Sequence, residues 1–246
     1  MASELAYEVH GDGAPQVLLI HGWLTSRAVW AEVADLLAAA QPVLVPDLVG
    51  FGDSGGEAPS ELQPQVDELL ALLDDLGIDR IHVAGHSMGG GIAQLLAVTA
   101  PERVASLTLV APVPASGFPL PPEIYAQFES IGGNAEALQG FLTPQFADPE
   151  RVPLFVDEAM KASVESAKNS LAAWTSCSFA AGLGAIQVPT VVVCGAKDPF
   201  LTAEVLQPAV VDAISGARLE TLDSGGHYVL VDDAPAVAGI IQSQVS

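Results

Sequence analysis

The sequence predicts an α/β fold: a mostly parallel sheet with helices on both faces, interrupted by a helical insertion. Three observations point there. Short, continuous apolar runs at 17–20, 43–45, 81–84 and 107–110 alternate with longer segments of helical period, the pattern of strands buried on both faces and joined by crossover helices. The alternation breaks after Val110 and resumes at Thr190. The chain is also large enough for a full core, with 246 residues of which 50% are hydrophobic and only 15% charged, a composition that argues against disorder.

In chain order, residues 7–10 read as an antiparallel edge strand entering the turn of Gly11 and Gly13. Strand 17–20 is followed by a helix over 28–40, and strand 43–45 by a glycine-rich loop and a helix over 61–76. Leu69, Leu70, Leu72, Leu73 and Leu76 give that helix a wide apolar face. Strand 81–84 leads into a helix over 90–99, and strand 107–110 closes the first half. Residues 113–184 begin rich in proline and continue as irregular helical stretches; they read as a cap inserted into a core formed by residues 1–112 and 185–246. Strands at 190–194 and 218–222, with helices at 203–213 and 234–244, complete that core.

Charge and composition exclude several functions. Eight Lys and Arg against 30 Asp and Glu give a net charge of −22, which reads as a strongly solvated surface, with adaptation to salt as the alternative. Nucleic acid is excluded as a partner, because phosphates need a basic footprint. No apolar run is long enough to span a membrane. The N-terminal MASELAYEVHGDG has neither the basic nor the apolar part of a secretory signal. Cys177 and Cys194 form no motif and read as reduced packing residues of a cytosolic protein. The expected partner is a small molecule, with no cofactor and no metal, and the chain a monomer or homodimer.

The chemistry concentrates in GHSMG at 85–89, a G-x-S-x-G run that follows a strand and opens a helix. In that setting the serine sits on a strained, exposed turn, and the glycines leave room for it. Ser87 is therefore the candidate nucleophile, and a serine hydroxyl needs a base. Of five histidines, His82 lies within a strand, His86 inside the turn where its ring does not readily reach back, His21 at a strand end where it orders a loop, and His10 in the N-terminal turn. His227 in GGHY remains, on a loop after the last strand, where open parallel sheets place their chemistry. Asp198, in GAKDP after strand 190–194, is the candidate acid. Asp223 stands too near His227 on the same strand end, and Asp232 and Asp233 read as starting the last helix. After strand 17–20, Gly22 lets a backbone N–H face the nucleophile, so Trp23 and Met88 are the candidate oxyanion donors, with Leu24 an outside choice. The Trp23 side chain either lines an acyl pocket or packs in the core. The loop 46–54 lacks the Lys-Ser/Thr ending of a phosphate loop; Asp47 and Ser54 are expected to tie its backbone together.

These motifs resemble the α/β-hydrolase superfamily, in its capped, esterase-like serine hydrolases: HGW at 21–23, DLVGFGDS at 47–54, GHSMGG at 85–90, APERVASLTLVAP at 100–112, GAKD at 195–198 and GGH at 225–227. They stand in the family's order and cover nearly the whole chain outside the insertion. The resemblance implies an eight-stranded, mostly parallel sheet, a helical cap and acyl-enzyme chemistry on a triad in the order Ser, Asp, His. It leaves the substrate open. Val49 stands where many relatives have arginine, so one usual surface ion pair is missing. Leu24 replaces the proline of related perhydrolases and Tyr228 the lysine of hydroxynitrile lyases. Ser87 excludes the aspartyl mechanism of dehalogenases and epoxide hydrolases.

Six of the eight phenylalanines, Phe118, Phe128, Phe141, Phe146, Phe155 and Phe179, fall within 113–184, against three basic residues, Arg151, Lys161 and Lys168. These aromatics form an apolar pocket or the insertion's own core. The substrate-binding candidates are Trp23, Leu24, Tyr125, Phe128, Phe141, Trp174 and Tyr228. Hydrolysis of a carboxylic ester of a small apolar substrate is the expected reaction. A lactonase or C–C bond hydrolase would use the same triad, and a basic group at the pocket, Arg151 first, would favour the latter. A cofactor-free oxygenase or lyase, or a non-catalytic receptor, stands outside that class.

Overall fold

The computed structural model describes residues 4–245. Seven strands form one sheet in the order β1-β3-β2-β4-β5-β6-β7. They are β1 (Tyr7–His10), β2 (Val17–Ile20), β3 (Val43–Pro46), β4 (Ile81–His86), β5 (Val104–Val110), β6 (Thr190–Gly195) and β7 (Arg218–Leu222). β1 pairs antiparallel with β3 and every other pair is parallel. The count is one fewer than the eight that the resemblance implies: β1 alone forms the antiparallel edge. Residues of β2, β3 and β6 are buried throughout, because helices cover both faces.

β4 runs two residues further than its apolar stretch, since Gly85 and His86 continue the register against Leu109 and Val110. Helix α1 (Ala31–Ala38) is preceded by a tighter 3-10 turn, Arg27–Trp30, which the Ser26 side chain caps by accepting from the Ala28 N–H. α2 (Gln63–Asp75) and α3 (Met88–Thr99) follow β3 and β4.

From Val110 to Thr190 the chain leaves the sheet and forms four helices, α4 (Pro122–Glu129), α5 (Ala135–Leu142), α6 (Val152–Ala159) and α7 (Val164–Ser176). This segment is fastened to the sheet-bearing part by specific bonds. The Trp23 indole N–H donates to the Ala167 carbonyl at 3.0 Å. Glu57 accepts from the hydroxyls of Ser163 and Ser166 at 2.6 and 3.1 Å, and Ser26 donates to Glu158 at 2.6 Å. After β6, α8 (Ala203–Leu206) opens into a wider π turn, Gln207–Val211; Pro208 has no N–H to donate and cannot continue an α-helix there. A short helix α9 (Val229–Asp232) precedes α10 (Ala234–Val245). Among the described residues no helix is long and apolar enough to cross a membrane.

The loop 47–54 is built around the carboxylate of Asp47, which is fully buried. It accepts the backbone N–H groups of Arg27 and Asp53 at 2.7 and 2.9 Å and pairs with the Arg27 guanidinium. Ser54 donates to the Asp47 carbonyl and accepts from the Ala6 N–H. Position 49 takes no ion pair; the Gln65 amide holds both the N–H and the C=O of Val49 at 3.0 Å.

Candidate active site

Three strand ends at the carboxyl edge of the sheet carry the site. At the end of β4, Ser87 has φ 54 and ψ −117, a region costly for a residue with a side chain. The surroundings fix it there. Its N–H donates to Val110 at 3.0 Å, while its carbonyl accepts from Gly90, Gly91 and Val113 at 2.9, 3.2 and 2.9 Å. A methyl group on Gly85 would collide with the Gly89 carbonyl, and one on Gly89 with the carbonyls of Ile20 and His21. The turn therefore closes only with glycine on both sides.

The loops after β6 and β7 bring Asp198 and His227 together. The Lys197 N–H donates to the Gly225 carbonyl at 3.0 Å, and the Gly226 N–H to the Asp232 carboxylate at 2.8 Å. Asp232 thus closes α9 and holds the His227 loop, while Asp233 caps α10 by accepting from the Ala236 N–H at 3.2 Å. His227 Nε2 lies 3.0 Å from Ser87 Oγ, and its Nδ1 lies 2.8 Å from Asp198 Oδ2. The other oxygen of Asp198 accepts the N–H groups of Phe200 and Leu201 at 2.8 and 3.0 Å. Burial pushes the Asp198 carboxyl up, but His227 and those two N–H donors outweigh it and hold the group below its ordinary value. An ionised Asp198 accepts from Nδ1–H, which leaves the Nε2 lone pair facing the Ser87 hydroxyl. Asp223 is exposed and makes no bond to this relay.

Beside Ser87 the chain after β2 turns at Gly22, where a Cβ would stand 3.1 Å from Ser87 Cβ. Among the described residues, no acceptor meets the backbone N–H of Trp23 or Met88, nor that of Leu24. Leu24 itself takes φ 51. The first N–H groups of α3 add the positive end of its dipole.

A cavity opens onto Ser87 and His227. Of the predicted substrate contacts, Trp23, Phe128, Phe141, Trp174 and Tyr228 line it. Leu24 and Tyr125 do not. Leu24 is only 1% exposed and packs in the core, because its left-handed backbone turns the side chain inward; Tyr125 is half-buried on α4 and packs beside the core. Trp23 does both things asked of it: its ring stacks on Phe128 at 5.9 Å and also walls the cavity. Sequence reasoning missed Val113, Leu120, Gln145 and Leu201 on the cavity wall, and did not single out Phe118 and Phe200. Phe200 had a signal, standing two residues after Asp198. Phe146 and Phe155 form a separate stack with Tyr228, whose ring lies 4.2 Å from that of Phe146. Burial pushes the Tyr228 hydroxyl well up, so it stays neutral.

The lining carries no Asp, Glu, Lys or Arg. Arg151 lies elsewhere, on Glu32 and the Val231 carbonyl. The space open to a water's centre is about 50 Å³, room for a few waters.

His21 Nε2 accepts the Leu48 N–H at 2.9 Å and Nδ1 donates to the Gly22 carbonyl at 2.9 Å, so His21 joins the β2 and β3 loops. His82 bonds Ser106 at 2.8 Å, and His10, at the end of β1, bonds Asp35 at 2.8 Å.

Comparison with known proteins agrees with this fold. The model of the alpha/beta hydrolase family matches residues 17–240. A proposed carbamate hydrolase, RutD, of Azorhizobium caulinodans is 29% identical over 245 residues, covering 92% of this chain and 88% of its own. A 2-hydroxy-6-oxononadienedioate/2-hydroxy-6-oxononatrienedioate hydrolase of Cupriavidus pinatubonensis is 30% identical over 249 residues, covering 92% and 85%. Among solved structures, a hydrolase from Pseudomonas aeruginosa superimposes with a TM-score of 0.86 at 30% identity, covering 98% of this chain and 94% of its own.

Proposed function

The chain belongs to the alpha/beta hydrolase family, and from that premise we propose that it is a serine esterase, cleaving a carboxylic ester of a small, mainly apolar substrate through an acyl-enzyme. The observation that carries the reading is the Ser87–His227–Asp198 relay, with links of 3.0 and 2.8 Å, opening into an uncharged aromatic cavity.

In the proposed reaction, Ser87 Oγ attacks the ester carbonyl as His227 Nε2 takes its proton. The Trp23 and Met88 N–H groups receive the developing oxyanion, each donor being worth about 10²–10³ in turnover. Asp198 keeps the imidazole in its Nδ1–H tautomer and stabilises its charged form. The imidazolium protonates the departing alcohol. Water then gives its proton to His227 and attacks the acyl carbon, and collapse of that intermediate returns the proton to Ser87 and releases the acid. Residues 113–184 act as a cap that walls off the pocket from water.

Relatives bear the names of a carbamate hydrolase and of a hydrolase acting on a dioate. The cavity's composition favours a neutral ester over a diacid. An unpaired carboxylate loses several kcal/mol on leaving water, and no Lys or Arg stands on the wall to offset that, while each buried CH₂ contributes about 0.8 kcal/mol. A panel of p-nitrophenyl esters, lactones, carbamates and amides, run with wild type and Ser87→Ala, tests the reading. Short neutral esters are expected to turn over fastest, with turnover abolished in Ser87→Ala. Faster cleavage of the lactone, carbamate or amide substrates than of the esters, or equal rates for both proteins, would overturn it.

A further inference from the structure

His86 stands beside the nucleophile, yet the reaction above gives it no task. It is 1% exposed. Its Nε2 lies 3.0 Å from the backbone carbonyl of His227; a carbonyl only accepts, so this nitrogen carries the proton and donates. Its ring lies 4.9 Å from that of His227 and 5.0 Å from that of Tyr228. On the other side, a Cβ on Gly22 would come within 3.0 Å of His86 Nδ1, and that nitrogen has no partner among the described residues. One imidazole thus touches the loop of the base, the loop of the oxyanion donor and, through the chain, the nucleophile.

We propose that His86 is a positioning residue: its Nε2–H on the His227 carbonyl sets the height of the base loop, so that His227 Nε2 meets Ser87 Oγ in line. The proposal rests on the serine-hydrolase reading and adds to it a residue that never touches substrate. Three features fit the role. The bond reaches the backbone of the base itself, so the His227 side chain keeps both of its nitrogens for Asp198 and Ser87. The ring packs against both flanking aromatic side chains and cannot swing away without opening a void. Burial first, and then the neighbouring His227, hold His86 neutral. It therefore places no second positive charge beside the imidazolium that forms during the reaction.

The test compares wild type, His86→Phe, which keeps a ring and removes the donor, and His86→Gln, whose amide reaches about as far and still donates. The readout is the second-order rate at which a fluorophosphonate labels Ser87, which requires the relay but no particular substrate. Alongside it stands the downfield proton resonance of the His227–Asp198 hydrogen bond. His86→Phe is expected to label on the order of 10- to 100-fold more slowly, because displacements of an ångström or less at reacting atoms have effects of that size. KM for a short ester should stay within about threefold of wild type, and the downfield resonance should broaden or move. His86→Gln is expected to recover labelling to within about threefold of wild type. Fast labelling of His86→Phe overturns the proposal, and so does a His86→Gln protein as slow as the loss expected for phenylalanine, a comparison that stands even if His86→Phe does not fold. Absence of labelling in wild type would instead overturn the serine-hydrolase reading.

Discussion

Replacing Gly22 by alanine adds one methyl group where the loop of the proposed oxyanion donor Trp23 passes the proposed nucleophile Ser87. That methyl carbon would meet His86 Nδ1 at 3.0 Å, Ser87 Cβ at 3.1 Å and the His86 carbonyl oxygen at 3.3 Å. All three contacts are tighter than ordinary van der Waals distance, and none is the free end of a flexible chain. His86 is fixed by its bond to His227, and Ser87 by the four backbone bonds of its turn. Gly22 is not among the positive-φ glycines, so alanine suffers no strain from its own backbone and the effect is purely steric. The loop must retreat by a few tenths of an ångström, taking the Trp23 N–H with it. Complete loss of one oxyanion donor lowers turnover about 10²–10³-fold, which sets the ceiling. A partial withdrawal predicts a loss of about 10- to 100-fold in the acylation burst with p-nitrophenyl acetate and little change in KM. Overpacking of this kind destabilises by about 1–3 kcal/mol, a fall in Tm of roughly 2–12 °C at this chain length. Gly140→Ala is the control: it lies exposed within α5 and a Cβ there meets nothing within 4 Å. It should gain about 0.5–1 kcal/mol and leave the burst unchanged. A Gly22→Ala protein with a wild-type burst and a wild-type Tm would refute the close approach.

Two further outcomes follow from charge. Asp198 in the folded chain is held below its ordinary 3.8, so its ionised form contributes stability that is present above that value and is lost as the pH falls through the lower, folded value. The Tm difference between wild type and Asp198→Asn should accordingly narrow as the pH is lowered from 6 to 3; a difference that stays constant would contradict the direction of the shift. Arg27→Ala removes the guanidinium from the fully buried Asp47 carboxylate. Urea unfolding should show a loss of about 3–5 kcal/mol, and a loss below about 1 kcal/mol would mean that the backbone donors of Arg27 and Asp53 suffice.

The candidate relay was legible because each of its members is announced locally. Ser87 sits between an apolar strand and a helix, and Asp198 and His227 each follow a strand end, so the topology of a parallel sheet carries all three to one edge. The cavity wall was less legible. Tyr125 and Phe128 lie three residues apart on α4, and only the packing of α4 decides that Phe128 reaches the site while Tyr125 does not. Leu24 is removed from the wall by a left-handed backbone that no residue type at that position announces. His86 went unused for a related reason: its partner is a backbone carbonyl 141 residues away, and a backbone atom leaves no mark in a sequence. Element bounds moved by one to three residues, as at β4, where hydrogen bonding to β5 outlasts the apolar run, and at β5, which begins at Val104 rather than at 107 because Val104 already pairs with Ile81.

The central claim, a covalent acyl group on one serine, is tested most directly by quenching the enzyme in acid during turnover of p-nitrophenyl acetate and mapping the adduct by peptide mass spectrometry. An acetyl group on the peptide bearing Ser87, absent from Ser87→Ala and formed at the burst rate, is the predicted result. Turnover with no adduct on that peptide, or continuing undiminished in Ser87→Ala, would contradict it.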